Sequence, residues 1–400
     1  WLLVKQDQAQ DYQLRQNGPY WETARGTPLL TLRSHTGYLE IEQDGQRRSF
    51  PLQEGRFPSG LTGADELTLH SDVSAWSLER VKRPGWAKSL GYDQTGLRVE
   101  TDGRRLYWFA PCEIPLADTG KVLRIEQGRW LDESVFRHWT RDGILKPEGA
   151  DELGLDKYGA YADYSYQGVS WRMRLILPST FMMGSPEGEP DRGSDETQHE
   201  VVLTTPYWLA DVTCTQTLWQ AVMENNPSGY KGQDLPMDSA NLQNIEEFLA
   251  KLPDTLRMEL PTEAQWEHAC RAGTKTPFYF GTQINTEQAN YDGSVPYTDG
   301  VKGPFIGKTA PVKHLPPNGW GLYQMHGNVE EWCSSAYETY PDTAVDPQVN
   351  SQEAQRVLRG GSLFSHARNL RSAFRRRANS FHQFGCAGFR LARGLYLEGK

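Results

Sequence analysis

The segment from Arg356 to Gly394, RVLRGGSLFSHARNLRSAFRRRANSFHQFGCAGFRLARG, constrains the fold more than any other part of the chain. It is a regular frame (RVLRGGS, then ARN-RSA-R, then AGFRLAR) interrupted by residues that follow no structural period. Phe364-Ser365-His366, Ser380-Phe381-His382 and Phe384-Gly385-Cys386 set aromatic, small, polar and basic side chains at adjacent positions. A helix or strand face needs apolar residues at its own period, and neither period generates that mixture. One coding rule does. Replacing the adenines of an AAC asparagine codon yields Phe, Ser, His, Arg, Ala, Gly, Cys and Leu, but not Lys, Glu, Trp or Met. Almost every irregular residue here belongs to that set. Such a chain needs a fold whose backbone is fixed elsewhere, so that these side chains change without unfolding it. The competing explanation is an ordinary irregular loop.

Four hundred residues exceed one typical domain, so two or three are expected. The mean hydropathy of -0.66 describes a polar globular protein. No run of about 18 apolar residues exists, so no membrane span is expected. A net charge of -9 weighs against a nucleic-acid partner. The basic run Arg371, Arg375, Arg376 and Arg377 reads as salt-bridged or solvated arginines near a sheet. Five cysteines, Cys112, Cys214, Cys270, Cys333 and Cys386, form no C-x-x-C pair. They fit reduced thiols in a cytoplasmic protein and give no zinc-ligand spacing. The chain starts at Trp1 rather than Met, so a lost leader or N-terminal segment is an open expectation.

Residues 1–145 read as a β-rich domain with two similar hairpins. Thr36–Phe50 and Thr95–Phe109 each alternate apolar and polar residues around an Asp-Gly pair, Asp44-Gly45 and Asp102-Gly103. Asp-Gly supplies the positive φ angles of a tight hairpin turn. The similarity points to a duplication within one sheet. A short helix is predicted over Asp132–Thr140, and residues 146–174 read as a polar connector.

Residues 175–400 change texture. FMMGSPEGEPDRGSDETQHEVVL predicts two strands around an acidic loop. Three helices follow, over Thr215–Glu224, Asn241–Leu252 and from a Thr262/Gln265 capping box onward. Trp266, Ala269 and Cys270 on the third read as core. The Gly/Pro/Asn-rich stretch 273–318 needs pins, either aromatic packing or a metal. NGWGLYQMHGNVEEWC could supply the metal: Glu331 with the carbonyls of Gly327 and Val329 suits Ca²⁺, and the alternative for Glu331 is a cap or salt bridge.

FMMGSPEGEP, LPTEAQWEHACRAGTKTPFYFG, LPPNGWGLYQMHGNVEEW and RVLRGGS…AGFRLAR together resemble the formylglycine-generating enzyme (sulfatase-modifying factor) family, from about Leu175 to Arg393. The resemblance implies an α+β, C-type lectin-like fold behind the β-rich N-terminal domain. Active members use two cysteines after the GGS motif to bind copper and oxidise a substrate cysteine. Here these positions are Ser365 and Leu370. The H-x-x-x-H-x-E motif of the related sulfoxide synthases is absent too. For calcium, the resemblance implies Gln324, Gly327, Val329 and Glu331, with Gln324 replacing the family's Asn. A second family site matches only at Asn290 and Tyr291.

The variable segment, about 356–394, is similar to that of proteins diversified by retroelements. The resemblance implies a non-enzymatic protein that binds a protein or other macromolecule through a patch. That patch comprises Phe364, Ser365, His366, Arg376, Ala378, Ser380, Phe381, His382, Phe384, Gly385 and Cys386. Competing expectations are an oxidase or oxygenase using His366 and His382, and a scaffold module of a bacterial conflict system. The connector's resemblance to such systems implies ATPase or von Willebrand A-type partners, reached through the N-terminal domain.

Overall fold

A computed structural model describes residues 84–92, 97–101, 104–109, 112–340, 343–347, 355–381 and 385–395, and of residues 2–82 only the strands. The chain divides into two compact units, Trp1–Ile114 with Arg124–Arg141 and Pro115–Leu123 with Asp142–Lys400.

In the first unit, Tyr38–Gln43 pairs antiparallel with Gln46–Pro51, with Gln43 opposite Gln46. Leu97–Thr101 pairs with Arg104–Phe109, with Thr101 opposite Arg104. Both registers are those of a two-residue hairpin loop. The first hairpin ends an eight-stranded sheet and the second belongs to a separate four-stranded one. The similar segments therefore do not duplicate a single sheet. Helix α1 (Glu133–Asp142) starts where Asp132 Oδ1 accepts the Ser134 N–H at 3.0 Å. Val135, Phe136 and Trp139 share one helical face. Tyr107 and Phe109 meet Phe136 at ring-centroid distances of 5.3 and 5.9 Å.

The second unit contains a five-stranded sheet, Glu152–Asp156, Gly159–Tyr166, Val169–Ile176, Tyr207–Ala210 and Ala392–Gly394 in that spatial order. Residues 146–174, expected as a connector, thus supply sheet strands. Ala160, Ala162 and Tyr164 alternate inward, and Gln167-Gly168 turns with positive φ at both residues. Abundant Asp, Lys and Tyr on the outward positions hides that alternation in the sequence.

Helices α2 (Gln216–Met223), α3 (Leu242–Lys251) and α4 (Glu263–Arg271) match the predicted segments within a residue or so at their N-termini. At α4 the Gln265 N–H donates to Thr262 Oγ1 at 3.2 Å, and the Thr262 N–H donates to Gln265 Oε1 at 2.9 Å. Trp266, Ala269 and Cys270 are fully buried with Leu322, Met325 and Val357. Each large side chain of that cluster contributes about 1.5–3 kcal/mol by burial. The long stretch after α4 is pinned by aromatic packing: Phe278, Tyr291 and Tyr297 cluster with Ala367 and Leu370. All five cysteines are free thiols. Among the described residues no helix is long and apolar enough to cross a membrane.

A four-stranded sheet completes the unit, in the order Arg376–Asn379, Gln355–Arg359, Glu330–Ala336 and Ala387–Phe389. Under it lies a network of buried ion pairs. Arg371 reaches Glu189 at 2.8 Å and Glu196 at 2.7 Å, and Arg375 reaches Glu263 at 2.7 Å. Glu267 binds Arg271 at 2.8 Å and also Arg359. Burial alone would raise the Glu267 carboxyl, but the two guanidiniums hold it below the ordinary carboxylate value. Of the predicted basic run, Arg371 and Arg375 are buried and paired, Arg376 pairs with Glu330, and Arg377 is exposed.

Candidate functional site

The frame of the variable segment is built by backbone that only glycine fits. Gly360 and Gly361 have φ of +88° and +68°, and a Cβ on Gly361 would lie 2.7 Å from the Asn369 carbonyl oxygen. The Gly327 N–H donates to the Gly360 oxygen at 2.9 Å, tying the segment to the Glu330–Ala336 strand. Beneath it, the His326 Nδ1–H donates to the Leu370 oxygen at 2.6 Å, and Nε2 accepts the Tyr279 N–H at 3.2 Å. These two bonds fix a neutral tautomer, and burial pulls the imidazole down to about 3.

From Ser362 onward, burial alternates between frame and insertion. Leu363, Ala367, Leu370 and Arg371 are buried, whereas Phe364 is 51 % exposed and Ser365 and His366 are half-buried. Ser365 closes a small turn: its Oγ accepts the Ser362 N–H at 3.0 Å and its own N–H donates to the Ser362 oxygen. His366 Nε2 stands 3.9 Å from Asp292 Oδ2. Further on, Phe381 is 68 % exposed and Ser380 is half-buried, their carbonyls receiving bonds from Asn241 and Leu242 at the start of α3. Cys386 is half-buried, its thiol beside the Ser362 hydroxyl and in the field of Glu330 and Arg376. Burial pushes that thiol up, and the Ser362 hydroxyl offsets only part of the rise. Gly385 is exposed.

Ala378 does not belong to the surface. It is 2 % exposed, because in the strand Arg376–Asn379 the side chains alternate and Arg377 and Asn379 take the outer positions. His382 and Phe384 lie outside the described residues.

The sequence reading missed a neighbouring apolar loop. Val295, Val301, Phe305 and Ile306 are exposed, and the Phe305 and Phe364 rings stand 6.1 Å apart. The Asp292 N–H donates to the Ser365 oxygen at 3.0 Å, so this loop is docked on the variable segment. The available signal was the apolar pair Phe305-Ile306 set among glycines. Of the aromatic residues in the stretch 273–318, Phe278, Tyr291 and Tyr297 are buried and Phe305 is not.

The calcium set fails a test of fit. Both oxygens of Glu331 are taken: Oε1 accepts from Arg390 Nη2 at 2.8 Å, and Oε2 accepts from Arg390 Nε at 2.9 Å and Trp266 Nε1 at 2.7 Å. A dication there would compete with a fully buried guanidinium. Gln324 is also committed, its Nε2 donating to the Pro311 oxygen and its Oε1 accepting from Asn328 Nδ2. Glu331 is therefore one half of a buried salt bridge, and Gln324, Gly327, Val329 and Glu331 do not form the expected Ca²⁺ cage. Among the described residues no cluster of three His, Cys, Asp or Glu side chains could hold a metal.

At the two positions where the enzymes carry thiols, Ser365 holds the Ser362 turn and Leu370 packs in the core. A hydroxyl and an isobutyl group cannot ligate copper or cycle between thiol and disulfide.

Comparison with known proteins agrees with this architecture. The family model of the sulfatase-modifying factor enzyme 1-like domain matches residues 167–395. The serine/threonine-protein kinase pkn1 of Chlamydia pneumoniae is 37 % identical over 257 residues, 57 % of this chain and 39 % of that protein. The formylglycine-generating enzyme of Bos taurus is 35 % identical over 114 residues, 27 % of this chain and 30 % of that enzyme. The matches thus span well under half of these relatives. Among solved structures, Treponema denticola variable protein 1 superposes with a TM-score of 0.51 at 25 % identity, covering 58 % of this chain and 98 % of its own.

Proposed function

The chain belongs to the sulfatase-modifying factor enzyme 1-like family, and within it we propose that this protein is a non-enzymatic scaffold displaying a diversified ligand-binding surface. One observation carries the reading. Phe364 and Phe381, two bulky irregular residues of the segment, are exposed, while the frame residues around them are buried. A largely exposed ring adds little to the core, and aromatic side chains held at a surface suit the anchors of an interface. The likeness to a variable protein supports the same reading. Phe364 and Phe381 would be apolar anchors, with Ser365, His366, Arg376, Ser380, Gly385 and Cys386 around them. His382 and Phe384 belong to the same proposal by their place in the segment. The ligand is a protein or another macromolecule.

Ser365 and Leu370 stand against formylglycine chemistry, which needs a thiol at each position. The test is the gene itself. Under adenine-directed mutagenesis the codons of Phe364, Ser365, His366, Ala378, Phe381, His382, Phe384, Gly385 and Cys386 share a pyrimidine third base. They also match a nearby template carrying AAY codons beside a reverse transcriptase. Mixed third bases and no template would overturn the origin. Copper-dependent oxidation of a cysteine peptide by the purified protein would overturn the non-enzymatic reading.

A further inference from the structure

Among the described residues nine large apolar side chains are exposed, and five of them come from two segments docked on each other: Val295, Val301, Phe305, Ile306 and Phe364. Phe364 belongs to the variable segment. The other four lie in the loop 292–307, outside it. Apolar side chains gathered in this way mark an interaction site, where the same residues scattered singly would not.

The backbone of the loop is fixed at several points. The Asp292 N–H donates to the Ser365 oxygen at 3.0 Å and the Gly303 N–H to the Gly293 oxygen at 2.8 Å, and Asp292 and Phe305 form an antiparallel bridge. Tyr297 is buried and its hydroxyl donates to the Pro190 oxygen at 2.8 Å. The Tyr230 hydroxyl donates to the Gly307 oxygen at 2.6 Å. Phe305 and Ile306 are thus carried outward rather than tucked into the buried cluster of Phe278, Tyr291 and Tyr297. The free chain forgoes part of the roughly 1.5–3 kcal/mol that full burial of each would contribute. A partner can recover it without reordering the loop.

Charge narrows the partner. The loop and its end carry two carboxylates, Asp292 and Asp299, and two ammoniums, Lys302 and Lys308. On the variable side Arg368 is exposed and adds one cation. Nucleic acid or an anionic membrane needs a marked excess of cations, which is lacking here. An apolar centre with a mixed polar edge is instead the make-up of a protein–protein interface. The Phe305 and Phe364 rings, 6.1 Å apart, make the loop continuous with the display surface.

We propose that Val301, Phe305 and Ile306 form a constant apolar half of the display surface, and that its ligand is a protein presenting an apolar patch to them. This rests on the display reading and deepens it: the variable residues choose among partners, while the loop restricts all of them to one chemistry.

The test is panning of a phage library of random twelve-residue peptides on the full chain, then measuring the enriched peptides against variants. They should be rich in aromatic and aliphatic residues. Phe305→Ser with Ile306→Ser should weaken them roughly tenfold or more, as loss of an interface anchor does, and so should Phe364→Ser with Phe381→Ala. Peptides that lose only to the Phe364 and Phe381 changes would overturn the constant half and leave the display standing. Peptides that lose only to the loop changes, or to neither pair, or no enrichment at all, would overturn both. A concentration-dependent dimer of the parent chain that the loop variant abolishes would make the occupant a second copy and overturn the proposal as well. If the loop variant does not fold, Val301→Ser, at a residue 79 % exposed, takes its place, and unchanged peptide affinity overturns the proposal.

Discussion

Within the stretch Ser362 to Phe381, two sets of residues obey different physics. Leu363, Ala367, Leu370, Arg371 and Arg375 are buried and tied to residues distant in the chain, from Glu189 to Asn328. Phe364, His366, Ser380 and Phe381 lie between or just beyond them and face water fully or in part. The frame has its register fixed by two left-handed glycines and by charge pairs that cannot shift without stranding a buried ion. The insertions are held through main-chain oxygens, which accept from Asp292, Asn241 and Leu242, and through short-range bonds such as Ser362 to Ser365, so their side chains carry little of the register. A surface can vary freely only where its backbone is over-determined by something else. The difference between the two sets can be broken by mutation.

The largest effect belongs to the frame. Glu267 neutralises Arg271 and Arg359 and accepts the Gly184 N–H at 2.9 Å. Glu267→Ala leaves two buried guanidiniums without it, although Arg359 keeps Glu263 at 3.7 Å. A loss of about 3–5 kcal/mol is expected in a denaturant titration of the second unit. A loss below roughly 1 kcal/mol would mean that the network does not hold the frame.

Next comes the backbone. Gly361→Ala forces a side chain into positive φ and onto the Asn369 oxygen, at a cost of about 1–3 kcal/mol. Gly385→Ala is the matched control, because a Cβ there meets nothing within 4 Å and the residue is exposed. Its effect should stay within about 0.5 kcal/mol. Equal costs at the two glycines would erase the distinction between frame and surface.

Much of the frame was legible in advance and the reasons differ by element. The α4 capping box, the aromatic and thiol face of α4 and the two Asp-Gly hairpins are local patterns, set by a few neighbouring residues. The strands within 152–176 were not legible, because their inward positions hold Ala, Gly and Tyr as well as larger apolar residues. Ala378 was misplaced because small residues carry no hydrophobic signal, and only its strand register sends it inward. Glu331 was assigned to calcium because its partners, Arg390 and Trp266, lie 59 and 65 residues away and no spacing rule joins them. The apolar loop beside Phe364 was missed for the same reason: docking of residue 292 on residue 365 is a tertiary fact.

A third effect is titratable and is small only near neutral pH. His326 is neutral and pulled to about 3 in the folded chain, below its ordinary unfolded value of 6.5. The unfolded chain therefore binds the extra proton first, so stability rises with pH across that interval and is fully present above it. As pH falls from about 6.5 toward 3, the loss from this residue has a slope of about 1.4 kcal/mol per unit. Glu267, held low by its arginines, loses its contribution in the same direction at more acid pH. Replacing the imidazole, as in His326→Gln, should flatten the upper part of the profile of melting temperature against pH. An unchanged profile would place the acid sensitivity elsewhere.

The smallest expected effect on the fold is at the surface, and it sharpens the comparison most. Phe364→Ser, His366→Asn and Phe381→Ala remove exposed or half-exposed side chains whose backbone bonds run through main-chain atoms or through Ser362 and Asn379. Phe364 loses its ring contact with Phe305, a contribution of roughly 0.5–1 kcal/mol at most for a partly exposed pair. Each of the other two should shift stability by less than about 0.5 kcal/mol. The triple variant should stay folded, with the same urea slope as the parent. A cooperative loss comparable with that of Glu267→Ala would show that these rings are structural. The display reading would then fail at its base, whatever the codons record.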